Sequence, residues 1–399
     1  MAMIETEQSS HTSQPLVEVH APLKIEKQPD TLRIRRINRR LAAAASLLLT
    51  GSLGFGAAVD DISQNQELAA ASTPSIYSRY EAVEPANNGR ATVYMNGFGT
   101  INADMLADSI RPGMTEIYDS ETWSVNYGTA PLNAGQIADR IIELADKRHV
   151  DEIALVGYSA GGDIVLDVNE QLAEKSELAV PLLGLISTPD QMANLRDDQR
   201  DQASAFLDVL SRFPLLAYST PVRFAGEMSL EASQFTAEPA DMLDIPATVA
   251  ENVTAFVETA HEVNERLSSK YSPQTWLMFD QMLAIQNAHA QERIKKISEQ
   301  TGRLQPTLIY LGTEAPGYDY VVDDDTSGDN ICHYASEVGI DCLQYDVPGA
   351  VHTRPDLTVE AYTTTLTNAR YEVQLALDRA KAAYDAAHPT FRPNLVVGK

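Results

Sequence analysis

The sequence is poor in cysteine and in basic residues. Two cysteines among 399 residues exclude a scaffold held together by many disulfides. Only 30 Lys and Arg stand against 56 Asp and Glu, which gives a net charge of −26. Because residues 1–40 carry seven basic and five acidic side chains, residues 41–399 hold −28. A body this acidic repels phosphate backbones, so we expect no nucleic-acid partner. The 44% of hydrophobic residues suffices for a large globular core.

Long apolar runs are also scarce, and the longest uncharged one spans residues 41–59 (LAAAASLLLTGSLGFGAAV). Five arginines lie between residues 33 and 40, and Asp60 and Asp61 follow the run directly. Its length and flanks predict a single transmembrane helix whose basic side stays in the cytoplasm. We therefore expect a flexible cytoplasmic tail at 1–40, a linker at 60–85, and a globular domain at 86–399 on the outer side of the cell membrane.

Two other interpretations of this segment stay open. The small residues 56–58 resemble a signal-peptide cleavage site, and cleavage there would make the protein secreted. A buried Ala-rich helix is the third interpretation, although five arginines would then lie against a core.

From residue 91 onward, short apolar runs alternate with amphipathic stretches. This alternation predicts an α/β fold, in which a mostly parallel sheet is covered by helices on both faces. The predicted strands are residues 91–95, 115–119 with 123–125, 153–157, 182–186, 307–311 and 342–347. The predicted helices are residues 133–147, 162–175, 330–338 and 358–387. Residues 189–305 have helical periodicity without a convincing strand, which favours a large helical insertion within one α/β domain over two separate domains.

The segment Gly157-Tyr158-Ser159-Ala160-Gly161 matches the pattern G-x-S-x-G. It follows an apolar strand and opens an amphipathic helix, which is the setting of a nucleophile elbow. Both glycines are expected because a Cβ at either position would collide with the neighbouring strand or helix. Ser159 is therefore the candidate nucleophile. The alternative is an ordinary Gly-rich turn whose serine has no function.

A serine hydroxyl becomes a strong nucleophile only when a base takes its proton and an acid orients that base. Among the eight histidines, only His352 follows a predicted strand within a few residues, in a loop that contains glycine. The others lie in the N-terminal tail or in predicted helices: His11, His20, His149, His261, His289, His333 and His388. His352 is therefore the candidate base.

Three aspartates are candidates for the orienting acid. Asp319 follows the strand 307–311, precedes the apolar Tyr-Val-Val, and is the first choice. Asp323 in the same loop and Asp190 after the strand 182–186 are the second and third.

Donors for an oxyanion are expected from two backbone N–H groups. One belongs to Ala160, next to the nucleophile, and the other to Phe98 in the Gly-rich loop NGFG after the strand 91–95. Without the G-x-S-x-G turn, NGFG would indicate only a turn.

In this order, the first strand with its NGFG loop, the GYSAGG turn, Asp319 and His352 resemble the α/β-hydrolase fold superfamily over about residues 91–387. The resemblance implies a catalytic triad of Ser159, Asp319 and His352, and it implies that residues 189–305 form a lid or cap. It also implies a serine hydrolase related to esterases and lipases.

We expect this hydrolase to cleave small-molecule or lipid-like carboxylic esters through an acyl-enzyme intermediate, anchored in the membrane and without a cofactor. A peptidase or amidase on the same fold is one alternative. A non-catalytic binding module that keeps the scaffold is the other.

Cys332 and Cys342 lie ten residues apart, on a predicted helix and at the strand before His352. A disulfide is permitted outside the membrane, and it would contribute roughly 2 to 3 kcal/mol to stability. Two buried thiols are the alternative.

The spacing Asp323-x-Asp325-x-Ser327-Gly328 imitates the opening of a calcium-binding loop. However, Tyr334 occupies the twelfth position, where a bidentate Glu is required. We therefore expect no metal site.

Overall fold

The computed structural model describes residues 55–230, 245–268, 273–313, 319–352 and 354–388. Its strands are β1 (Ser75–Tyr80), β2 (Arg90–Met95), β3 (Glu121–Asn126), β4 (Glu152–Tyr158), β5 (Leu182–Ile186), β6 (Thr307–Thr313) and β7 (Cys342–Val347). They form one sheet in the spatial order β1-β3-β2-β4-β5-β6-β7. β1 is antiparallel to β3, and the other neighbouring strands are parallel. The predicted mostly parallel sheet is confirmed.

Helices connect the parallel strands, as parallel pairing requires. They are α1 (Phe55–Ala71), α2 (Asp104–Ile117), α3 (Ala134–Arg148), α4 (Ala160–Lys175), α5 (Asp197–Arg212), α6 (Thr220–Leu230), α7 (Ile245–Ser268), α8 (Thr275–Gln286), α9 (Ala290–Ser298), α10 (Asp324–Glu337) and α11 (Val359–Ala387). α2 and α11 pack on one face of the sheet, and α3, α4, α9 and α10 pack on the other. The predicted covering of both faces is confirmed.

Each face of the sheet has its own apolar core, and alternate residues of a strand serve the two cores. In β4, Ile153 and Leu155 belong to one core, and Ala154 and Val156 belong to the other. Because both faces are covered, the strand is a continuous apolar run, as is common in parallel sheets.

The carboxyl ends of the parallel strands meet at one edge of the sheet. Met95 in β2 pairs with Gly157 in β4, and Thr313 in β6 pairs with Val347 in β7. Loops that follow these strands therefore lie side by side, and such an edge is where ligands bind in open α/β sheets.

Between β5 and β6, the described residues form the helices α5–α9 and contribute no strand to the sheet. This agrees with the predicted helical insertion at 189–305. α9 packs against α4 and α10, and its Ile294 and Ile297 belong to the core on the sheet. Trp276 and Leu277 of α8 belong to the same core, so the bounds 189–305 stay a prediction. We call the helices α5–α8 the cap.

One predicted strand is wrong. Residues 115–119 form the end of α2 and the turn after it, and the strand begins at Glu121. Ile110, Met114 and Ile117 are three or four residues apart and pack into one core. This helical spacing decides the local structure.

The predicted linker at 60–85 is also wrong. It contains most of α1 and all of β1, which pairs with β3. β1 is an edge strand with the largely polar sequence SIYSRY, so it lacks the apolar run by which buried strands are found.

Within the described ranges, no helix combines the length and the apolar character of a membrane span. The predicted cytoplasmic tail and most of the predicted membrane segment, up to residue 54, lie outside these ranges. α1 starts at Phe55 and continues past Asp60 and Asp61. The membrane anchor stays a prediction.

Candidate active site

Ser159 lies in the tight turn between β4 and α4. Its backbone has a φ of 54° and a ψ of −130°, a strained conformation that residues with a side chain rarely adopt. A Cβ at Gly157 would lie 2.3 Å from the carbonyl oxygen of Gly161, and a Cβ at Gly161 would lie 2.3 Å from that of Met95. The predicted need for glycine at both positions is confirmed.

The structure brings three predicted residues into one hydrogen-bonded chain. The distance from His352 Nε2 to Ser159 Oγ is 2.9 Å, and the distance from His352 Nδ1 to Asp319 Oδ2 is 2.6 Å. All three are buried, with exposed fractions of 7% for Ser159, 4% for His352 and 2% for Asp319. In this arrangement the imidazole can take the serine proton, and the carboxylate can orient and stabilise the imidazolium.

Asp319 is held by its own loop. Its Oδ1 accepts hydrogen bonds from the N–H groups of Val321 and Val322, at 2.7 and 2.9 Å. Burial alone would raise the pKa of Asp319, but the hydrogen bond and positive charge of His352, together with the two N–H groups, lower it below the usual value. The carboxylate is therefore ionised at neutral pH.

The loop that carries Asp319 is bound to the start of the insertion. Arg196 Nε donates to the carbonyl oxygen of Asp319 at 3.1 Å, and the N–H of Asp323 donates to the carbonyl oxygen of Asn194 at 2.8 Å. These bonds fix the acid although it lies several residues beyond the end of β6.

The two alternative acids have other partners. Asp323 occupies the position before the first turn of α10 and forms an ion pair with Arg196, with 3.6 Å between the charged atoms. Asp190 accepts hydrogen bonds from the side chains of Asn194 and Asn330, and burial raises its pKa. In the described part of the chain, neither carboxylate hydrogen-bonds the imidazole.

The NGFG loop lies against the serine turn. A Cβ at Gly97 would lie 2.9 Å from the nitrogen of Ala160 and 3.0 Å from Ser159 Cβ, so only glycine allows this approach. Among the described residues, the N–H groups of Phe98 and Ala160 have no hydrogen-bond acceptor. Both are therefore available as donors, and their role in an oxyanion hole stays a prediction.

The residue that supports the base was not predicted from the sequence. Tyr158, the residue before the nucleophile, donates its hydroxyl group to the carbonyl oxygens of His352 and Val351. The turn that presents the serine thus also binds the loop that carries the imidazole. The only signal was a tyrosine inside the motif, and the sequence does not show that a backbone 194 residues later lies within reach.

A second buried carboxylate, Asp324, was also missed. Its Oδ2 accepts hydrogen bonds from the hydroxyl of Ser187 and from the N–H and hydroxyl of Thr313, and its Oδ1 accepts one from Tyr310. It thereby ties the ends of β5 and β6 to the start of α10. Burial, and then the charge of Asp319, raise the pKa of Asp324 to about 6.

Cys332 on α10 and Cys342 on β7 form a disulfide, with their Cα atoms 5.1 Å apart. This is the predicted pairing. It joins the helix that follows the acid loop to the strand that leads to His352.

Residues 323–328, whose spacing imitates a calcium loop, form the start of α10. A helix cannot wrap around an ion as a calcium loop does. The described histidines other than His352 lie on helices or at their ends, as predicted: His149, His261, His289, His333 and His388.

The cap covers the serine turn with apolar side chains. Ala160 belongs to one buried cluster with residues from the insertion and the acid loop: Leu195, Ala203, Leu207, Met282, Ile285 and Val322. Phe98 and Phe279 are partly buried against this cluster. The surroundings of the serine are thus suited to an uncharged, apolar group.

No protein-family model and no curated protein sequence matches the chain. Similar solved structures include carboxyl esterase 2 from the mycorrhizal fungus Tuber melanosporum, with 16% identity over 76% of this chain and 86% of that chain and a TM-score of 0.38. A monoacylglycerol lipase from Paleococcus ferrophilus has 12% identity over 76% and 99% of the two chains and a TM-score of 0.41. Homoserine O-acetyltransferase from Bacillus anthracis has 9% identity over 77% and 98% and a TM-score of 0.49.

Identities this low carry no information about the substrate of this chain. Its fold is assigned from its own geometry. The mostly parallel sheet, the strained strand-turn-helix at Ser159, and the order of serine, aspartate and histidine along the chain are those of the α/β-hydrolase fold.

Proposed function

We propose that this protein is a serine hydrolase that cleaves carboxylic esters through an acyl-enzyme intermediate. One observation carries the proposal, namely the buried hydrogen-bonded chain of Ser159, His352 and Asp319, whose serine lies in a strained turn beside two backbone N–H groups that have no acceptor among the described residues. A hydroxyl group bonded to an imidazole that a carboxylate orients is the arrangement that activates a nucleophile, which favours catalysis over binding alone.

In the first half-reaction, Ser159 Oγ attacks the carbonyl carbon of the ester while His352 Nε2 takes the hydroxyl proton. The carbonyl π electrons move to the oxygen, which accepts hydrogen bonds from the N–H groups of Phe98 and Ala160. Asp319 stabilises the imidazolium. The C–O bond to the leaving alcohol then breaks, and the imidazolium gives the alcohol its proton.

In the second half-reaction, water attacks the acyl-enzyme while His352 takes a proton from it. The bond between the acyl carbon and Ser159 Oγ breaks, and the imidazolium returns a proton to the serine. The carboxylic acid leaves, and each group of the site regains its starting state. All proton transfers use groups of this chain.

Small-molecule or lipid-like esters are the proposed substrates. The buried apolar cluster around Ala160 supports an uncharged acyl group next to the serine. We expect an ester to react faster than the amide of the same acid, and a faster amide reaction would instead assign a peptidase or amidase.

A fluorophosphonate probe, which bonds covalently to an activated serine, tests the catalytic proposal. We expect labelling of the wild type at Ser159, no labelling of Ser159→Ala, and normal labelling of Ser211→Ala, whose serine is exposed on α5. Peptide mass mapping locates the adduct. A folded wild type that takes up no probe and hydrolyses neither ester nor amide overturns the proposal.

We also propose that residues 41–59 anchor the protein in the cell membrane, with the hydrolase domain on the outer side. The uncharged run, the five arginines before it, and the following Asp60 and Asp61 support this orientation. Probe-labelled protein is expected in the membrane fraction. Washing with alkaline carbonate should not extract it, whereas detergent should. Labelled protein in the medium that starts near residue 57 would instead support a secreted form.

A further inference from the structure

The oxyanion loop comprises residues 96–100. Its start is held by hydrogen bonds within the loop and by Tyr127, which follows β3. The N–H of Gly97 donates to the side chain of Asn96 at 2.9 Å, and the hydroxyl of Tyr127 donates to the carbonyl oxygen of Asn96 at 2.9 Å. The hydroxyl of Thr100 donates to the carbonyl oxygen of Gly97 at 2.8 Å. None of these bonds uses the N–H of Gly99 or the carbonyl oxygen of Thr100.

Gln281, on cap helix α8, binds that second half. Its Oε1 accepts a hydrogen bond from the N–H of Gly99 at 3.0 Å, and its Nε2 donates to the carbonyl oxygen of Thr100 at 3.1 Å. The side chain is fully buried, with an exposed fraction of 0%. Because one backbone group is a donor and the other an acceptor, only this orientation of the amide satisfies both.

Helix α8 is itself attached to the body of the protein. The indole N–H of Trp276 donates to the carbonyl oxygen of Thr129 at 3.0 Å, and the carboxylate of Asp280 accepts from the N–H of Leu132 at 2.9 Å. Both partners lie in the connection between β3 and α3. Gln281 is thus mounted on a fixed helix, so the position of that helix sets the position of the loop.

Phe98 lies between two fixed points. Gly97 packs against the Ser159 turn, and Gly99 is held by Gln281 in a left-handed backbone conformation with a φ of 78°. The peptide groups on both sides of Phe98 are therefore fixed, including the one that carries its N–H.

We propose that Gln281 is a positioning residue for the oxyanion hole: by holding the oxyanion loop, it directs the N–H of Phe98 at the developing oxyanion and couples that donor to the cap. This inference rests on the proposed function. It adds that the cap completes the catalytic site in addition to covering it.

A merely structural role of Gln281 predicts a different result. Loss of its amide leaves two buried backbone groups without a partner and lowers stability under either interpretation. Only a positioning role lowers kcat at nearly constant KM, because the oxyanion forms after the substrate is bound. The pH dependence of kcat, which reports the imidazole, is expected to stay unchanged.

The main test compares Gln281→Met with Gln286→Met, which changes an exposed glutamine at the end of the same helix. With an ester substrate, we expect kcat of Gln281→Met to fall about 10- to 100-fold, somewhat less than the loss of a whole oxyanion donor. KM should stay within about twofold, and Gln286→Met should match the wild type.

A substrate-like trifluoromethyl ketone provides a second readout, because attack by Ser159 converts it to a bound oxyanion. Its inhibition constant should rise for Gln281→Met by the same factor by which kcat/KM falls. Gln281→Asn, whose amide is one methylene too short to reach both backbone groups, serves as the second variant if Gln281→Met does not fold.

The possible failures are distinguishable. A wild type without hydrolytic activity, or a Ser159→Ala variant that keeps it, overturns the proposed function itself. An active wild type whose folded Gln281 variants keep wild-type kcat and inhibitor affinity overturns only the positioning role. A fall in kcat without weaker ketone binding also overturns that role.

Discussion

The two sides of the candidate site are held in different ways. On the acid-base side, the imidazole loop is bound by Tyr158 at the end of β4, and the strands are tied to α10 by Asp324 and the disulfide. On the oxyanion side, the loop depends on Gln281 of the inserted cap. Both sides thus use the insertion, but differently: its first residues, Asn194 and Arg196, bind the loop of Asp319, whereas the oxyanion loop is bound by Gln281 on helix α8.

The largest effect is expected from the acid itself, and it tests the assignment of the acid-base side. Asp319→Asn should lower kcat on the order of 10⁴-fold, because the amide cannot stabilise the imidazolium. Asp323→Asn and Asp190→Asn are matched controls from the same set of candidates and should stay within about threefold. The rate of ester hydrolysis by each variant is the measurement. If Asp319→Asn is active and one of the two controls is inactive, the orienting acid is the residue changed in that control.

The two buried carboxylates on this side should affect stability with opposite dependence on pH. The pKa of Asp324, raised to about 6 in the folded state, lies above the unfolded value, so the folded protein binds the extra proton between about pH 4 and 6. The contribution of Asp324 to the unfolding free energy therefore falls as pH rises through that window, by up to about 3 kcal/mol. The lowered pKa of Asp319 gives a contribution that is lost as pH falls below 3.8.

Urea unfolding at pH 4.5 and pH 7 measures this difference. In Asp324→Asn, the unfolding free energy should fall less between pH 4.5 and pH 7 than it does in the wild type, because the titrating group is gone. The pKa of Asp280 is also raised to about 6 by burial, so the comparison must be between wild type and variant. The same change in unfolding free energy between the two pH values in wild type and Asp324→Asn would contradict the raised pKa of Asp324.

Replacing both cysteines by serine should lower the unfolding free energy by about 2 to 3 kcal/mol, because the unfolded chain gains freedom. We expect kcat to stay within about threefold, since Tyr158 and Asp319 still hold His352. Thermal unfolding and ester hydrolysis measure the two quantities. A folded variant with little activity would show that the disulfide positions the base.

The smallest effects are expected from two tyrosines, one on each side of the site. Tyr158→Phe and Tyr127→Phe each remove one buried hydroxyl, on the acid-base side and on the oxyanion side. Each should lower kcat up to about tenfold, the equivalent of one hydrogen bond. Tyr158→Phe should shift the pH profile of kcat, and Tyr127→Phe should weaken binding of the trifluoromethyl ketone. The same response in both variants would remove the distinction between the two sides.

Strands with two covered faces were predictable from the sequence, and the exposed edge strand was not. The segments 153–157, 182–186 and 307–311 lie in strands inside the sheet, because burial on both faces demands consecutive apolar residues or nearly so. β1 is largely polar and partly exposed, so only its pairing with β3 identifies it as a strand.

The choice of acid shows the same limit within the site. Asp190, Asp319 and Asp323 all follow strands that end at the same edge, so spacing alone leaves each one possible. The loop after β6 decides the matter, because its bonds to Asn194 and Arg196 place Asp319 beside the imidazole and Asp323 beside a guanidinium. Gln281 gave no signal, because it is one of two glutamines in a mostly apolar helix and the sequence does not distinguish them.

The sequence by itself determined the strand-turn-helix at Ser159, since the two glycines and the apolar strand are local requirements of that turn. It also determined which histidine could reach the serine, because only His352 follows a strand at the right edge. The tertiary structure alone decided which carboxylate faces the imidazole and which cap residue binds the oxyanion loop. Those contacts join residues far apart in the chain, and their hydrogen bonds depend on ångström distances that no local pattern encodes.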